Sequence, residues 1–355
     1  MSAPKPKAVH DHNTMNSQSS ITVKSVDLPV VFQYVENSQL EAELVKGYVL
    51  AAVRYDHDAG VSILHDTPCM TVPAKSLGTP HYAEVWRSAT PVSVQQTGNI
   101  ISSSNDELMF AGAVVEDDQD MRTLSREIYS DLIRYCEESD FPRLLRMWNY
   151  IPKINDERTG MERYKEFCVG RHEVFSRRNQ DFIQDIPAAS ALGTPSGGLI
   201  VYCLAARSAG DQIENPRQIS AYNYPPQYGP CSPSFTRAMV KQWPKGIDLY
   251  ISGTASIVGH ESHHLENVSE QLEETLRNVA VLVESATSNE SKPIQTVEEL
   301  SLLKVYIRHP EHYEVIRETM EEVIKGRVPV MYLQADICRT NLLLEIEAVY
   351  HSVES

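Results

Sequence analysis

The amino-acid sequence predicts an α+β fold in which a unit of helices packed on a mixed β-sheet occurs twice. In the first half of the chain, a strand ending at Gly112 precedes an amphipathic helix and a strand at 148–152. In the second half, a strand ending at Gly253 precedes another amphipathic helix and a strand at 304–308. Matched element order at this distance is typical of internal repetition, and we therefore expect two related units in one chain.

The helices are predicted by apolar residues three and four positions apart, which share one helix face. The first is expected over about 117–140, with apolar residues at Met121, Leu124, Ile128, Leu132 and Tyr135. The second covers about 267–284, where Asn267 is a suitable N-cap, and the third covers about 311–325. Each helix therefore has one apolar face that can pack on a sheet.

Apolar runs bounded by turn residues predict the strands. These runs occupy 49–54, 108–115, 199–205, 249–252, 302–307 and 342–349. We expect an N-terminal domain at 21–175 and a C-terminal domain at 176–355, joined near 175–185. Residues 1–20 are polar and contain no apolar run, so a disordered tail is expected there.

The charge and cysteine content limit the partners and the compartment. The 355 residues include 32 Lys and Arg against 48 Asp and Glu, a formal net charge of −16. This field opposes binding to nucleic acid or to an anionic membrane. No run approaches the roughly 18 apolar residues of a membrane span, and the tail lacks a signal-peptide core. The six cysteines form no C-x-x-C pair, which favours free thiols in a cytoplasmic protein.

One motif indicates a different chemistry. The run His260-Glu261-Ser262-His263-His264 satisfies H-E-x-x-H, the zinc-peptidase signature, which requires both histidines on one helix. Gly259 precedes the run directly, whereas the amphipathic helix begins only near Asn267, so a loop is the better interpretation. No G-x-x-H follows to supply a third ligand. We therefore expect no metal site here, and the histidines could instead lie at the rim of a pocket.

The C-terminal half resembles the YjgF/Rid family of reactive-intermediate deaminases. The resemblance is carried by the strand ending at 249–253, the helix that follows, and the runs at 304–306 and 344–349. It implies helices packed on a sheet and carboxylate-binding clefts between units. Where the family has an Arg after the Pro of its last strand, this chain has Pro329-Val330-Met331, which implies a rebuilt site. A Rid-like deaminase or a module that binds small acids stays an alternative.

A longer pattern resembles the chorismatases, which cleave chorismate to pyruvate and a cyclic carboxylate. It extends over about 142–349, in the segments 146–152, 162–164, 170–171, 187–191, 215–218, 253–257 and 338–339, and at Glu345. The resemblance implies chorismate as a small-molecule substrate and a reaction without metal or organic cofactor. It also implies that most of the site lies in the C-terminal unit. Because two units share the chain, a monomer and a small homo-oligomer both remain open.

Chorismate carries two carboxylates, so its site in an acidic protein needs fixed cations and hydrogen-bond donors. An Arg side chain suits this role because its planar fork makes two parallel bonds to a carboxylate and stays charged. With the resemblance, Arg163, Arg217 and Tyr222 become the expected substrate clamp. Four further residues are expected to contact substrate: Tyr150, Arg171, Tyr224 and Ala255. We do not distinguish Ala255 from Ser256 as the residue that faces the ring.

Glu345 is the expected acid. It lies in an apolar run, and a buried carboxyl has a raised pKa and can donate a proton near neutral pH. Cleavage of an enol ether needs a proton at the terminal methylene carbon. Glu345 and Glu347 share a strand face, and either could simply form an ion pair. The resemblance favours Glu345, since the first Glu of the family's E-I-E run is the one in its active site.

Cys338 implies the subtype. In the chorismatase pattern, a cysteine at this position goes with release of 3-hydroxybenzoate, in some cases together with 4-hydroxybenzoate. The thiol could act on an arene-oxide-like intermediate as a nucleophile or a proton relay. The hydrolase subtype, which releases a dihydroxycyclohexadiene carboxylate, is the alternative. The sequence thus predicts Glu345 and Cys338 as the catalytic residues of a 3-hydroxybenzoate-forming chorismatase.

Overall fold

The computed structural model describes residues 28–178, 182–288 and 294–353. They form three large β-sheets that follow one another along the chain, and helices cover two of them. The expected disordered tail at 1–20 and part of the expected junction at 175–185 lie outside the described residues. In the described residues no helix is long and apolar enough to cross a membrane.

The N-terminal sheet is formed by residues 30–88. Its elements are β1 (Val30–Glu36), α1 (Leu40–Leu44), β2 (Tyr48–Tyr55), β3 (Gly60–Leu64), β4 (Thr67–Val72), β5 (Lys75–Ser76) and β6 (Tyr82–Ser88). The strand order is β1-β6-β2-β4-β3, while β5 pairs with a strand of the C-terminal sheet.

The middle sheet follows. Its elements are β7 (Ser93–Thr97), β8 (Ile100–Ser104), β9 (Leu108–Val115), α2 (Met121–Glu137), β10 (Arg143–Pro152), α3 (Arg163–Arg178), β11 (Ala188–Thr194) and β12 (Leu199–Ala206). The strand order is β11-β10-β12-β9-β8-β7. The predicted domain limit between residues 175 and 176 falls before the last two strands of this sheet.

The C-terminal sheet completes the fold. Its elements, with a short hairpin of β16 and β17, are β13 (Asp211–Ile213), β14 (Ala238–Trp243), β15 (Gly246–Thr254), β16 (Ile257–Val258), β17 (Glu261–Ser262), α4 (Val268–Thr287), β18 (Leu302–Ile307), α5 (Tyr313–Ile324), β19 (Val330–Gln334) and β20 (Leu344–Val353). The strand order is β13-β14-β15-β20-β18-β19-β5.

The middle and C-terminal sheets have the same topology. The order β8-β9-β12-β10-β11 in the middle sheet matches β14-β15-β20-β18-β19 in the C-terminal sheet. Counted along the chain, the third and fourth strands of each set of five are parallel to each other, and the fifth strand is antiparallel to both of its neighbours. A long helix follows the second strand and another follows the third. The predicted α+β class and the two related units are therefore confirmed.

The N-terminal sheet is a third, reduced copy that the sequence pattern did not reveal. Its order β1-β6-β2-β4 repeats the same arrangement, with β2 and β4 parallel and β6 antiparallel to both β1 and β2. The first helix is reduced to the five residues of α1, and the β3 strand stands where the second helix would be. Without long helices, this region has no helical periodicity to detect.

Helix α3 was also missed. Its buried residues include the charged Arg163, Glu166 and Arg171 as well as apolar ones, so its buried face has no clean apolar stripe. It packs tightly on α2, since a Cβ at Gly170 would overlap Ser125 and the backbone of Arg122. The three predicted helices occur within a few residues of their expected ends, as α2, α4 and α5.

Three hydrophobic cores hold the helices and the three sheets together. Helices α2 and α3 cover one face of the middle sheet, and α4 and α5 cover one face of the C-terminal sheet. The other faces of the middle and C-terminal sheets meet the N-terminal sheet in one central core rich in aromatic residues, among them Trp86, Trp148, Tyr202 and Tyr250. The edge strand β11 of the middle sheet lies against β15 of the C-terminal sheet, where Ala189 N donates to Ser252 Oγ at 2.8 Å.

Candidate active site

A cavity of about 250 Å³ lies where the middle and C-terminal sheets meet. The middle unit contributes residues of α3 and β11 to its wall, among them Tyr164, Arg171, Ala189 and Ser190. The C-terminal unit contributes residues of β15, β20 and nearby loops, among them Tyr224, Tyr228, Arg237, Gly253, Ala255, Cys338, Arg339 and Glu345. The cavity is therefore built by both units, with most of its residues from the C-terminal one.

Glu345 lines this cavity from strand β20. Its side chain is only 4% exposed, and its carboxyl group lies directly over the backbone of Gly253 on the neighbouring strand β15. A Cβ at residue 253 would overlap this carboxyl group, so the glycine makes room for the acid. Burial, and then the negative charge of Glu347, raise the pKa of Glu345 to about 8. At neutral pH the group is therefore mostly protonated and can donate a proton.

Glu347, two residues along the same strand, has the opposite behaviour. Lys304 and Arg146 contact its carboxylate at 2.8 and 2.9 Å. These cations and the donated hydrogen bond from Ser190 lower the pKa of Glu347 to about 2 in spite of burial. The two carboxyl groups of this strand thus divide into a neutral acid at the cavity and a permanent anion behind it.

Three arginines supply positive charge to the cavity: Arg171, Arg237 and Arg339. Arg171 and Arg237 are 2% and 4% exposed, and the Nε atom of each is buried without a hydrogen-bond partner. Among the described residues, none of the three arginines forms an ion pair with a carboxylate. Buried charges are usually paired, so two buried guanidinium groups without a carboxylate partner, with the half-buried Arg339 beside them, indicate a site for an anion with more than one acidic group.

Tyrosine rings hold two of these arginines. Arg237 Nη2 donates to Tyr224 Oη at 2.7 Å, and its guanidinium also lies over the Tyr224 ring. The guanidinium of Arg339 lies 3.9 Å from the centre of the Tyr228 ring, and its Nη1 donates to His260 O at 2.8 Å. These contacts orient the cations without neutralising them.

Cys338, the second residue that the sequence predicts to be catalytic, also lines the cavity. Burial in the cavity wall and the nearby Glu345 raise its pKa to about 12. The side chain is therefore a thiol at neutral pH rather than a thiolate. A thiol in this position can pass a proton but is a poor nucleophile, which favours the relay role over the nucleophilic one.

Three of the expected contact residues also reach the cavity. Arg171, Tyr224 and Ala255 line it, and Ala255 rather than Ser256 is the residue that faces the space. Ser256 is fully buried and donates to His263 O at 3.1 Å. Of the two residues that the sequence left open, Ala255 is therefore the one in the cavity wall.

Arg163 and Arg217, expected as the substrate clamp, lie outside the residues that line the cavity. Arg163 Nη2 donates to Asp117 at 2.5 Å and its Nε donates to Pro152 O, so its charge is already paired. Arg217 donates to Glu274 and to Asn278, each at 2.5 Å. Both arginines hold loops and helices together in this structure.

Tyr150 and Tyr222 are also absent from the cavity wall. Tyr150 is fully buried in the central core, and its hydroxyl is hydrogen-bonded to the Tyr306 hydroxyl at 2.8 Å. Tyr222 packs against the core formed by α2, α3 and the middle sheet. Neither residue contacts the space beside Glu345.

The run from His260 to His264 is not helical. It covers the turn and second strand of the β16–β17 hairpin and the two residues that follow, and His264 has a positive φ of 57°. The His260 ring is hydrogen-bonded to the Tyr228 hydroxyl at 3.1 Å, and the His264 ring contacts Glu270 at 2.9 Å. The two imidazoles therefore do not share a helix face, as the zinc motif requires. The hairpin instead borders the cavity through Ser262.

Arg237, Arg339 and Ser190 are cavity residues that were not selected from the sequence. Ser190 and Arg339 lie within the segments that resemble the chorismatases. The resemblance could therefore have pointed to both residues, although it assigns neither of them a role. Arg237 immediately precedes the apolar strand β14 and is one of many arginines in the chain. Nothing local distinguishes it, because its importance comes from the missing carboxylate partner.

Comparison with known proteins gives consistent results. The family model described as "Chorismatase FkbO/Hyg5-like, N-terminal" matches residues 84–205. A 3-hydroxybenzoate synthase from Streptomyces hygroscopicus is 35% identical over 277 residues, which cover 76% of this chain and 81% of that protein. A chorismatase from Streptomyces rapamycinicus is 33% identical over 300 residues, which cover 82% of this chain and 88% of that protein.

A solved structure also matches almost the whole chain. The crystal structure of a chorismatase at 1.08 Å resolution superposes with a TM-score of 0.82 at 27% sequence identity. The match covers 92% of this chain and 99% of that one. The two chains therefore share one fold over nearly their whole length.

Proposed function

The chain belongs to the chorismatase family, and we propose that it cleaves chorismate to pyruvate and 3-hydroxybenzoate. The atoms of chorismic acid equal those of one hydroxybenzoic acid and one pyruvic acid, so the reaction consumes no water overall. The observation that carries this proposal is one cavity that combines a protonated carboxyl group, Glu345, with three unpaired arginines. The names of the relatives supply the substrate and the product.

Substrate binding follows from the charges. Chorismate has a carboxylate on its ring and another on its enolpyruvyl side chain. The cations of Arg171, Arg237 and Arg339 are available to both, since none is paired with a carboxylate in the described part of the chain. Planar guanidinium forks bind carboxylates through two parallel hydrogen bonds. The expected contacts of Tyr224 and Ala255 with substrate fit the same cavity.

Glu345 supplies the proton. Its protonated carboxyl group donates to the terminal methylene carbon of the enol ether, which creates an oxocarbenium ion in the side chain. The electron pair of the bond between the ring carbon and the ether oxygen then moves to that oxygen, and pyruvate leaves. The arginines near Glu345 favour this step because they hold the departing carboxylate.

Cys338 acts on the ring that remains. After pyruvate leaves, the oxygen of the neighbouring hydroxyl group closes onto the vacated ring carbon to form an arene oxide, and the hydroxyl proton returns to the Glu345 carboxylate. Opening breaks the bond between this oxygen and the carbon that first carried it, the oxygen takes up a proton, and loss of the ring proton from the carbon that keeps the oxygen gives 3-hydroxybenzoate. We propose that the Cys338 thiol passes the proton during this opening, with 4-hydroxybenzoate as the product of opening in the other direction. The raised pKa keeps the sulfur protonated for this role.

The proposal also includes the oligomeric state, the compartment and the type of partner. One chain supplies the acid and the three arginines of the cavity, and we propose a monomer or a small homo-oligomer. The six cysteines are all free, which supports a reducing, cytoplasmic compartment. The negative net charge supports a small-molecule substrate rather than nucleic acid.

A product analysis tests the proposal. The purified protein is treated with a chelator and incubated with chorismate, and pyruvate and the ring product are measured by mass spectrometry. We expect equal amounts of pyruvate and hydroxybenzoate, mainly the 3-isomer. A dihydroxycyclohexadiene carboxylate in place of hydroxybenzoate would contradict the subtype. Intact chorismate would contradict the activity and leave binding of small acids as the function.

A further inference from the structure

A buried cluster of charges lies behind the cavity, on the side of Glu347. Lys304 Nζ and Trp148 Nε1 contact one carboxylate oxygen of Glu347 at 2.8 and 3.1 Å. Arg146 Nη2 and Ser190 Oγ contact the other at 2.9 and 2.7 Å. Four donors from three neighbouring strands thus fix this carboxylate in one position and in its ionised form.

Ser190 connects this cluster to the acid. Its hydroxyl donates to Glu347, and its oxygen accepts from Arg146 Nη2 at 2.5 Å and from Gly253 N at 2.9 Å. Gly253 is the residue over which the Glu345 carboxyl group lies. The Ser190 side chain lines the cavity together with Glu345, and the Gly253 amide belongs to the residue beneath the Glu345 carboxyl group. Both are already used in the chain that leads to Glu347.

We propose that Glu347 is a positioning residue whose fixed carboxylate keeps the catalytic Glu345 in its acid form. It does so in two ways. Its negative charge, two residues away on the same strand, opposes a second negative charge at Glu345. Through Ser190, it also withholds the hydroxyl and amide donors that would stabilise the ionised Glu345.

The other groups near Glu345 act in the opposite direction or not at all. Arg146 and Arg237 favour its ionised form, and their effect is smaller than that of burial and of Glu347. Tyr306 is the register partner of Glu345 on β18, and its hydroxyl is hydrogen-bonded to the Tyr150 hydroxyl. The Cys338 thiol is neutral at neutral pH. Glu347 is thus the one negative group among those that shift the titration of Glu345.

Glu84 offers a matched control. It is as buried as Glu345, and it pairs with the same lysine, since its carboxylate lies 2.9 Å from Lys304 Nζ. It also accepts from Trp86 Nε1 at 2.7 Å. However, it is not among the groups that shift the pKa of Glu345. Replacing Glu84 removes a buried charge from the cluster and should leave the titration of Glu345 nearly unchanged.

Infrared difference spectroscopy tests the proposal without using turnover. A protonated carboxyl group has its own C=O stretching band, and the band absent from Glu345→Gln is that of Glu345. We expect the midpoint of its titration to fall by about one to two pH units in Glu347→Gln, and to stay within half a unit of the wild type in Glu84→Gln. Glu347→Asp, which keeps the charge, should restore most of the midpoint. An unchanged midpoint in Glu347→Gln overturns the proposal.

A second variant keeps the test decisive if Glu347→Gln does not fold. Ser190→Ala keeps the Glu347 charge but frees the Gly253 amide, so the midpoint should fall by a smaller amount. If it does not move in this folded variant, the withheld-donor mechanism is overturned.

The link to catalysis rests on the proposed function. With chorismate, the fall of kcat at alkaline pH should begin one to two units lower in Glu347→Gln, with a loss of about two- to tenfold at pH 7. An infrared shift without chorismate turnover in the wild type would retain the positioning role and reject the proposed substrate. Turnover by the wild type with no shift in the variant would reject the positioning role alone.

Discussion

The middle and C-terminal units share one topology, yet only one of them has an open cleft at its second strand. In the C-terminal unit, Gly253 of β15 faces the Glu345 carboxyl group beside the cavity. In the middle unit, Gly112 of β9 is the register partner of Tyr202 on the fifth strand, β12. A glycine of the second strand therefore lies beside an acid of the fifth strand in one unit and beside an aromatic ring in the other.

The space beside Gly112 is filled by packed side chains, whereas the space beside Gly253 opens to the cavity. A Cβ at Gly112 would lie 3.0 Å from the Met70 sulfur and 3.0 Å from Tyr202 Cβ. The Tyr202 ring stacks on Trp148, 5.1 Å between ring centres, in the central core. The N-terminal sheet thus fills this cleft. The fifth strand of the middle unit thus contributes a ring to the central core, whereas the fifth strand of the C-terminal unit contributes the acid of the cavity.

The largest expected effect concerns the two fifth-strand residues. Glu345→Gln keeps the volume but removes the proton donor, so pyruvate release should fall about 10²- to 10⁴-fold. Tyr202→Phe keeps the packed ring and should leave pyruvate release within about twofold of the wild type. Steady-state assays with chorismate, together with circular dichroism of both variants, measure this contrast. Retained turnover in Glu345→Gln would remove Glu345 from the acid role.

The two glycines provide the next contrast. Gly253→Ala pushes the Glu345 carboxyl group away from its position, and we expect about a 100-fold loss of kcat with little change in unfolding free energy. Gly112→Ala overpacks the core and should cost about 1–3 kcal/mol of stability with nearly normal kcat. Denaturant unfolding and kcat measured on the same preparations separate the two outcomes. Equal loss of stability in both variants would mean that the Gly253 cleft is packed rather than open.

A smaller effect is expected when an unpaired arginine is compared with a paired one. Arg237→Met removes a charge from the cavity and should raise the KM for chorismate about 10- to 100-fold. Arg217→Met breaks the pair with Glu274 outside the cavity and should change KM less than threefold. Initial-rate measurements over a range of chorismate concentrations decide between them. A larger KM change in Arg217→Met would support the clamp predicted from the sequence.

The smallest effect on rate is expected at Cys338. Because Cys338→Ala affects the ring after pyruvate has left, pyruvate release should stay within about tenfold of the wild type. The fraction of 3-hydroxybenzoate among the ring products should fall clearly. Chromatography coupled to mass spectrometry gives the product ratio, and Cys231→Ala, at a partly exposed cysteine outside the cavity wall, is the control. An unchanged ratio in Cys338→Ala would exclude the proton-relay role.

Much of the fold could be predicted because the two long-helix units have periodic apolar faces and matching strand-end glycines. The third copy could not, because α1 has only five residues and leaves no helical pattern to read. Helix α3 could not be predicted either, because the charged residues Arg163, Glu166 and Arg171 interrupt the apolar pattern of its buried face. Local patterns reveal an element only where its buried side is apolar.

The sequence identified some of the residues that line the cavity but not all of them. Glu345, Cys338, Arg171, Tyr224 and Ala255 all line the cavity. The remaining arginines could not be sorted, because the partner that neutralises an arginine is distant in the sequence. Asp117 lies 46 positions from Arg163, and Glu274 lies 57 positions from Arg217. Only the folded chain shows which guanidinium groups are left unpaired.

The pH dependence of kcat for pyruvate release tests the central claim most directly. The claim is that burial in the cavity wall, together with the negative charge of Glu347, keeps Glu345 protonated, with a pKa of about 8, so that it can act as an acid. Since the active form is the protonated one, kcat should be constant between about pH 6 and 7 and then fall about tenfold per unit above pH 8. A kcat that rises through pH 8 would mean that the ionised carboxylate is the active form, and would contradict the account.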